Sequence, residues 1–198
     1  MHAKDKHTCQ LCGFKAKKNQ RVIDLNGFYR EGDKRSNFVT VCPLCEAPNR
    51  LSSFGNRDIG AFVYIPELTQ SEINHIYHIY WGSLSFTKMS EAHKKEFDDE
   101  EGTFTEILGG FINQMAKRNT TATQMYGAGI NDFVTIANIL FNLPEKNYEN
   151  RERMFRHLRF IPNNSFFKKE IEYYEAAIYP NLTKSNREAF KAKLVNKS

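Results

Sequence analysis

Every cysteine in the chain falls into one of two short pairs, Cys9-Gln10-Leu11-Cys12 and Cys42-Pro43-Leu44-Cys45. With 29 residues between them, the pairs have the spacing of a four-thiolate zinc site, in which each Cys-x-x-Cys turn curls so that both sulfurs face one tetrahedral ion. A closed set of four thiolates leaves no coordination position for water or substrate. The pattern therefore predicts a structural Zn2+ on Cys9, Cys12, Cys42 and Cys45, with no chemistry of its own. The alternative is two disulfides or four buried free thiols. Adjacent Cys-x-x-Cys disulfides are strained and belong mainly to redox proteins, and the N-terminus has charges but no hydrophobic signal region.

A second set of residues invites a hydrolytic reading. Between the pairs, Arg21 to Leu25 reads as a strand, Asn26-Gly27 as a turn, and Ser36 to Val41 as a return strand. This zinc-pinned hairpin resembles the frame of HNH nucleases, whose central asparagine would be matched by Asn37 and whose last catalytic residue would fall within Cys45 to Asn49. The first half of such a site needs an Asp-His pair at the end of the first strand, the imidazole acting as general base. Here that place is taken by Asp24-Leu25, and leucine accepts no proton. Unless His7 or His2 reaches in, the centre is incomplete, so no catalytic residue is assigned. Lys15, Lys17, Lys18, Arg21, Lys34, Arg35 and Arg50 surround the module. They lack interleaved stacking aromatics and do not require a nucleic-acid partner. Two histidines at helical spacing, His75 and His78, are read as exposed or rim residues, because no carboxylate or cysteine stands where it would complete a second metal site.

The elements that must position these residues follow from patterning. The chain has 198 residues, 13% of them aromatic, enough to build a core and to exclude a disordered chain. The net charge of +5 is too modest to demand a nucleic-acid partner, but it is unevenly spread: residues 1–60 are net basic, 61–102 net acidic and 103–198 net basic again. No apolar run is long enough to span a bilayer, and a cytoplasmic setting with reduced thiols is expected. Residues 61–65 read as a strand ended by Pro66. Thr69-Gln70-Ser71-Glu72 has the form of a capping box, opening a helix with an apolar stripe of Ile73, Ile76, Tyr77, Tyr80, Trp81 and Leu84. Residues 91–102 read as an acidic linker. A second capping box, Thr103 to Glu106, is expected to open a helix through Met115, despite Gly109-Gly110. Further helices are expected up to Gly127, from the Asn131-Asp132 cap to Pro144, as a basic helix over 147–160, and after Asn163-Asn164-Ser165. The lysine-rich tail from Pro180 is expected to fray.

The wording of three stretches adds to this. His7 to Phe14, Ser36 to Cys42 and, above all, Tyr64-Ile65-Pro66-Glu67-Leu68-Thr69-Gln70-Ser71-Glu72-Ile73-Asn74 resemble the IcmJ (DotN) family of type IVB secretion systems. Met125 to Gly129 and Leu158 to Pro162 carry the likeness further along the chain. Members of that family are expected to have some tens of residues ahead of the first cysteine pair, where this chain has eight. The resemblance implies a non-catalytic component of the coupling complex, docked on the cytoplasmic tail of the coupling ATPase DotL beside its adaptor proteins, peripheral to the inner membrane. It also implies that the zinc ligands are Cys9, Cys12, Cys42 and Cys45. Surplus Phe and Tyr on the helices would either form a groove for an amphipathic partner helix or simply fill the core. The expected fold is α+β: a zinc-pinned, HNH-like hairpin module over 1–60, a strand, amphipathic helix and acidic linker over 61–102, and a helical region over 103–198 packed on the same core. The competing function is a metal-dependent HNH-like nuclease or nucleic-acid-binding protein, and Leu25 is the residue that separates the two.

Overall fold

The computed structural model describes residues 5–25, 38–55, 57–87 and 100–179. His2, the Asn26-Gly27 turn, Lys34, Arg35, Asn37, the 91–99 part of the acidic linker and the tail from Pro180 lie outside the described residues. Strand β1 (Arg21–Asp24) pairs antiparallel with β2 (Phe38–Val41), Arg21 opposite Val41 and Asp24 opposite Phe38. Val41 runs through Cys42 into helix α1 (Pro43–Asn49), whose first turn accommodates Pro43 because that position has no intrahelical N–H bond to lose. A 3-10 turn (Leu51–Phe54) leads to β3 (Gly60–Tyr64).

Helix α2 (Gln70–Thr87) starts where the capping box requires. The Thr69 backbone N–H donates to Glu72 Oε2 at 2.8 Å, and the Glu72 N–H donates to Thr69 Oγ1 at 3.2 Å. Its stripe is the centre of the fold, with Ile73, Ile76, Tyr77 and Trp81 buried. Helix α3 (Glu100–Lys117) differs from expectation at its start. The Thr103 to Glu106 box lies inside the helix, which already runs from Glu100. It also runs unbroken through Gly109-Gly110, where Gly109 lies against the Tyr80 ring of α2.

Helix α4 (Asn119–Tyr126) ends at Gly127, and α5 (Phe133–Asn142) begins at Asp132, whose carboxylate accepts from the Thr135 N–H at 2.7 Å. The basic helix expected over 147–160 is absent. Two short helices, α6 (Glu145–Glu149) and α7 (Arg151–Met154), are followed by strand β4 (Leu158–Pro162). Antiparallel pairing of β4 with β3, Gly60 opposite Pro162 and Tyr64 opposite Leu158, buries Leu158, Phe160 and Ile161 and outweighs the helical spacing of the arginines. The last helix among the described residues, α8 (Lys168–Ala177), follows a turn in which Asn163 Oδ1 accepts from the Ser165 N–H at 3.0 Å. The coarse expectation of mixed α and β structure holds, as two small antiparallel strand pairs among helices. The four cysteines, the β3–β4 pair and the faces of α2, α3, α5 and α8 contribute to one buried cluster. Among the described residues no helix is long and apolar enough to cross a membrane.

Candidate metal centre

Local backbone geometry brings the first cysteine pair to the second. The Cys9 N–H donates to the Phe14 carbonyl at 2.9 Å and the Gly13 N–H to the Cys9 carbonyl at 2.8 Å, closing a tight turn. Gly13 has φ +77 there, a conformation that costs glycine least. The Gln10 N–H donates to the Thr40 carbonyl at 2.8 Å, fastening that turn to β2. On the other side the Cys42 carbonyl accepts from the N–H groups of Cys45 and Glu46 at 3.0 and 2.8 Å, so the start of α1 shapes the second turn.

The result is four buried thiols whose sulfurs all lie within 4.8 Å of one another. They could hold a metal ion. Sulfurs bound to one tetrahedral Zn2+ at about 2.3 Å lie about 3.8 Å apart, and Cys12 Sγ is 3.7 Å from Cys42 Sγ. A disulfide would bring a pair to about 2.05 Å, and all four thiols are free. The donor set fits a soft divalent cation. Burial pushes the Cys42 thiol well above its ordinary range, and a bound cation would supply the charge that a buried thiolate needs. Among the described residues no other set of His, Cys, Asp and Glu gathers ligand atoms for an ion.

Two residues flanking the sulfurs were not singled out by the sequence reading. Asn74 is completely buried and donates from Nδ2 to Cys45 Sγ at 3.0 Å. Glu46 is joined to Arg50 at 3.3 Å and to Arg21 at 3.8 Å beside the second turn, with burial raising its carboxyl. Of the residues of the hydrolytic reading, Asn37 and His2 lie outside the described residues. Asp24 ends β1 beside Leu25, and the Asn49 side chain donates to the Cys45 carbonyl at 2.8 Å in the role of a helix-end cap.

Of the two histidines expected to be exposed or at the rim, His75 fits a rim position and His78 does not. His75 is half-buried and hydrogen-bonded to the Cys12 carbonyl. His78 is 4% exposed. Its ring stacks on Phe14 at 3.6 Å with Trp81, Tyr174 and Tyr179 around it, and its Nε2 has no hydrogen-bond partner among the described residues. The aromatic side chains that follow α2 in space cover a position that helical spacing alone puts at the edge of the stripe. Burial pushes the His78 imidazole down to about 3. An imidazole whose folded value lies below its unfolded value near 6.5 contributes stability that is present above that value and lost as the pH falls toward 3. The expected slope is about 1.4 kcal/mol per pH unit. His78→Phe is expected to flatten that part of the acid limb in urea melts between pH 6.5 and 4. A limb as steep as that of the wild type would show that His78 does not carry it.

A groove of about 900 Å³ runs beside the hairpin, between β1, the 3-10 turn, α5 and the α6–α7 segment. Leu25, Leu140, Phe141 and Phe155 give it an apolar floor, and Arg50, Arg151, Arg156 and Arg159 outnumber Asp24 and Glu152 around it. Among the aromatic side chains of the helices, Tyr77, Phe133 and Tyr174 are buried, whereas Phe111 and Phe141 are exposed. Phe141 lines this groove at 76% exposed.

No protein-family model matches the chain. Over 176 residues, which are 88% of this chain and 75% of the relative, it is 26% identical to the type 4 apparatus protein DotN of Legionella pneumophila. The resemblance carried by the Tyr64 to Asn74 stretch therefore extends along most of the sequence.

Proposed function

We infer from this likeness to DotN that the chain is a component of a type IV secretion apparatus. In the finer reading, Zn2+ on Cys9, Cys12, Cys42 and Cys45 holds the fold, and the protein is a non-catalytic adaptor. It docks on the cytoplasmic tail of the coupling ATPase, a DotL-like protein, beside that protein's own adaptors, and is cytoplasmic and peripheral to the inner membrane. The observation that carries this is the similarity over nearly the whole chain. The closed four-sulfur arrangement supports the structural role of the metal, since such a set leaves no open position for a reacting ligand. The arginine-edged groove with exposed Phe141 supports docking, because an acidic amphipathic segment would satisfy both its charge and its apolar floor. The HNH-like nuclease reading has less in its favour, as Leu25 stands where the general base is needed.

The test is co-purification of the full chain with the cytoplasmic tail of the coupling ATPase from the same organism. A stoichiometric complex in size-exclusion chromatography is the expected result, weakened at least tenfold in affinity by Phe141→Asp. Folded, zinc-loaded protein that fails to bind the tail would overturn the docking role. Metal-dependent cleavage of DNA by that same preparation would establish the nuclease reading in its place.

A further inference from the structure

The hydrogen bonds around the four sulfurs lead out of the hairpin. Asn74 Nδ2 donates to Cys45 Sγ at 3.0 Å, and Asn74 Oδ1 accepts from Gln70 Nε2 at 3.0 Å, one turn earlier in α2. The Gln70 side chain goes on to β4: its Nε2 donates to the Phe160 carbonyl at 2.9 Å, and its Oε1 accepts from the Phe160 N–H at 2.8 Å. Both peptide groups of Phe160 on the edge of β4 away from β3 are thus paired by one glutamine amide, in the manner of a residue in an adjacent strand. His75, next in sequence to Asn74, bonds to the Cys12 carbonyl. Consecutive residues of α2 therefore hold one cysteine from each pair.

The direction of the chain of bonds is fixed by its far end. The Phe160 N–H can only donate and its carbonyl can only accept, which sets Gln70, and Gln70 then requires the oxygen of Asn74 to face it. The NH2 of Asn74 is left facing sulfur. Asn74 is 0% exposed, so this N–H has no water to turn to, and an unpaired buried donor costs about 1–3 kcal/mol. A thiolate bound to a cation is a strong acceptor, and a donor beside it fixes the sulfur's position while drawing off part of its charge.

We propose that Asn74 is a positioning residue for the metal centre, and that Gln70 ties it to β4, so that metal occupancy and the pairing of β4 are coupled. This rests on the four-sulfur metal reading above and goes beyond it, because it assigns Gln70 and Asn74, at the end of the distinctive Tyr64 to Asn74 stretch, to the surroundings of the metal.

The test uses the full chain loaded with Zn2+, and with Co2+ as a spectroscopic probe. Asn74→Leu, close in size but without a donor, is expected to weaken Zn2+ affinity about 10–100-fold in competition with a chromogenic chelator. It should also shift the sulfur-to-cobalt charge-transfer band, which a purely structural defect would leave in place, and speed amide exchange at Phe160. Gln70→Leu retains the donor beside Cys45 and is expected to lose less affinity while showing the same faster exchange at Phe160. Wild-type affinity and an unshifted band in Asn74→Leu would overturn the proposal. Should that variant fail to fold, wild-type affinity together with wild-type protection of Phe160 in Gln70→Leu would overturn it equally. A wild-type chain that takes up neither metal would instead overturn the metal reading, and this inference with it.

Discussion

Cys42→Ser is expected to abolish stoichiometric zinc binding and to lower the melting temperature by about 10 °C or more. Structural zinc sites in small modules contribute about 10–16 kcal/mol of apparent binding free energy at neutral pH, and because no preformed site exists in the unfolded chain, much of it is folding free energy. The fraction lost here need only reach about 4 kcal/mol to move the melting temperature that far in a chain of this size. Cys42 is the severest position to change. It is 0% exposed, its sulfur lies 3.7 Å from that of Cys12, and its backbone starts α1. A serine hydroxyl is a poor ligand for Zn2+ at neutral pH, and in the same slot it would be a buried polar group without a sulfur's reach. Zinc content by atomic emission and thermal unfolding by circular dichroism check the expectation. Unchanged values for both would remove the case for a structural metal, and would leave the close approach of the four thiols to be explained by packing alone.

The cysteine geometry was legible because its information is local. Two residues between cysteines set the turn, and no distant partner is needed to recognise it. Helix α2 was legible for the same reason, since Thr69, Glu72 and the stripe from Ile73 onward specify its start and its buried face within a few turns. Strand β4 was not, because what decides it is far away. Leu158 to Pro162 carries the right alternation for a strand, yet it follows arginines at helical spacing, and the deciding interaction is pairing with a strand whose register sets Tyr64 opposite Leu158. The role of Asn74 lay between these cases. An amide set one position after Ile73 in an apolar stripe, and four after a glutamine, is a signal of a buried polar pair. What the pair serves depends on Cys45, 29 residues earlier. His78 was misread because its burial comes from Phe14 and Tyr174, which reach it from opposite ends of the chain.

Gly60→Ala is expected to be the most damaging single change outside the metal centre. At Gly60 the backbone has φ +151, in the region that residues with a Cβ rarely adopt. A methyl group there would fall 2.1 Å from the Ile161 carbonyl oxygen and 2.8 Å from the Phe160 ring. Neither neighbour can yield easily. The carbonyl is backbone, and the Phe160 ring is 0% exposed and packed at 5.7 Å against Phe62. Relief would require β4 to move away from β3, opening the register that puts Gly60 opposite Pro162. Beyond β3 the same displacement would disturb the paired Phe160 peptide groups that Gln70 holds. The loss of stability is expected to be about 3 kcal/mol or more, from strain and lost packing combined, and to appear as a lower urea midpoint with faster amide exchange through β4. A midpoint equal to that of the wild type would mean that β3 and β4 do not pair in this register. The route from the sulfurs to β4 would then have to be redrawn.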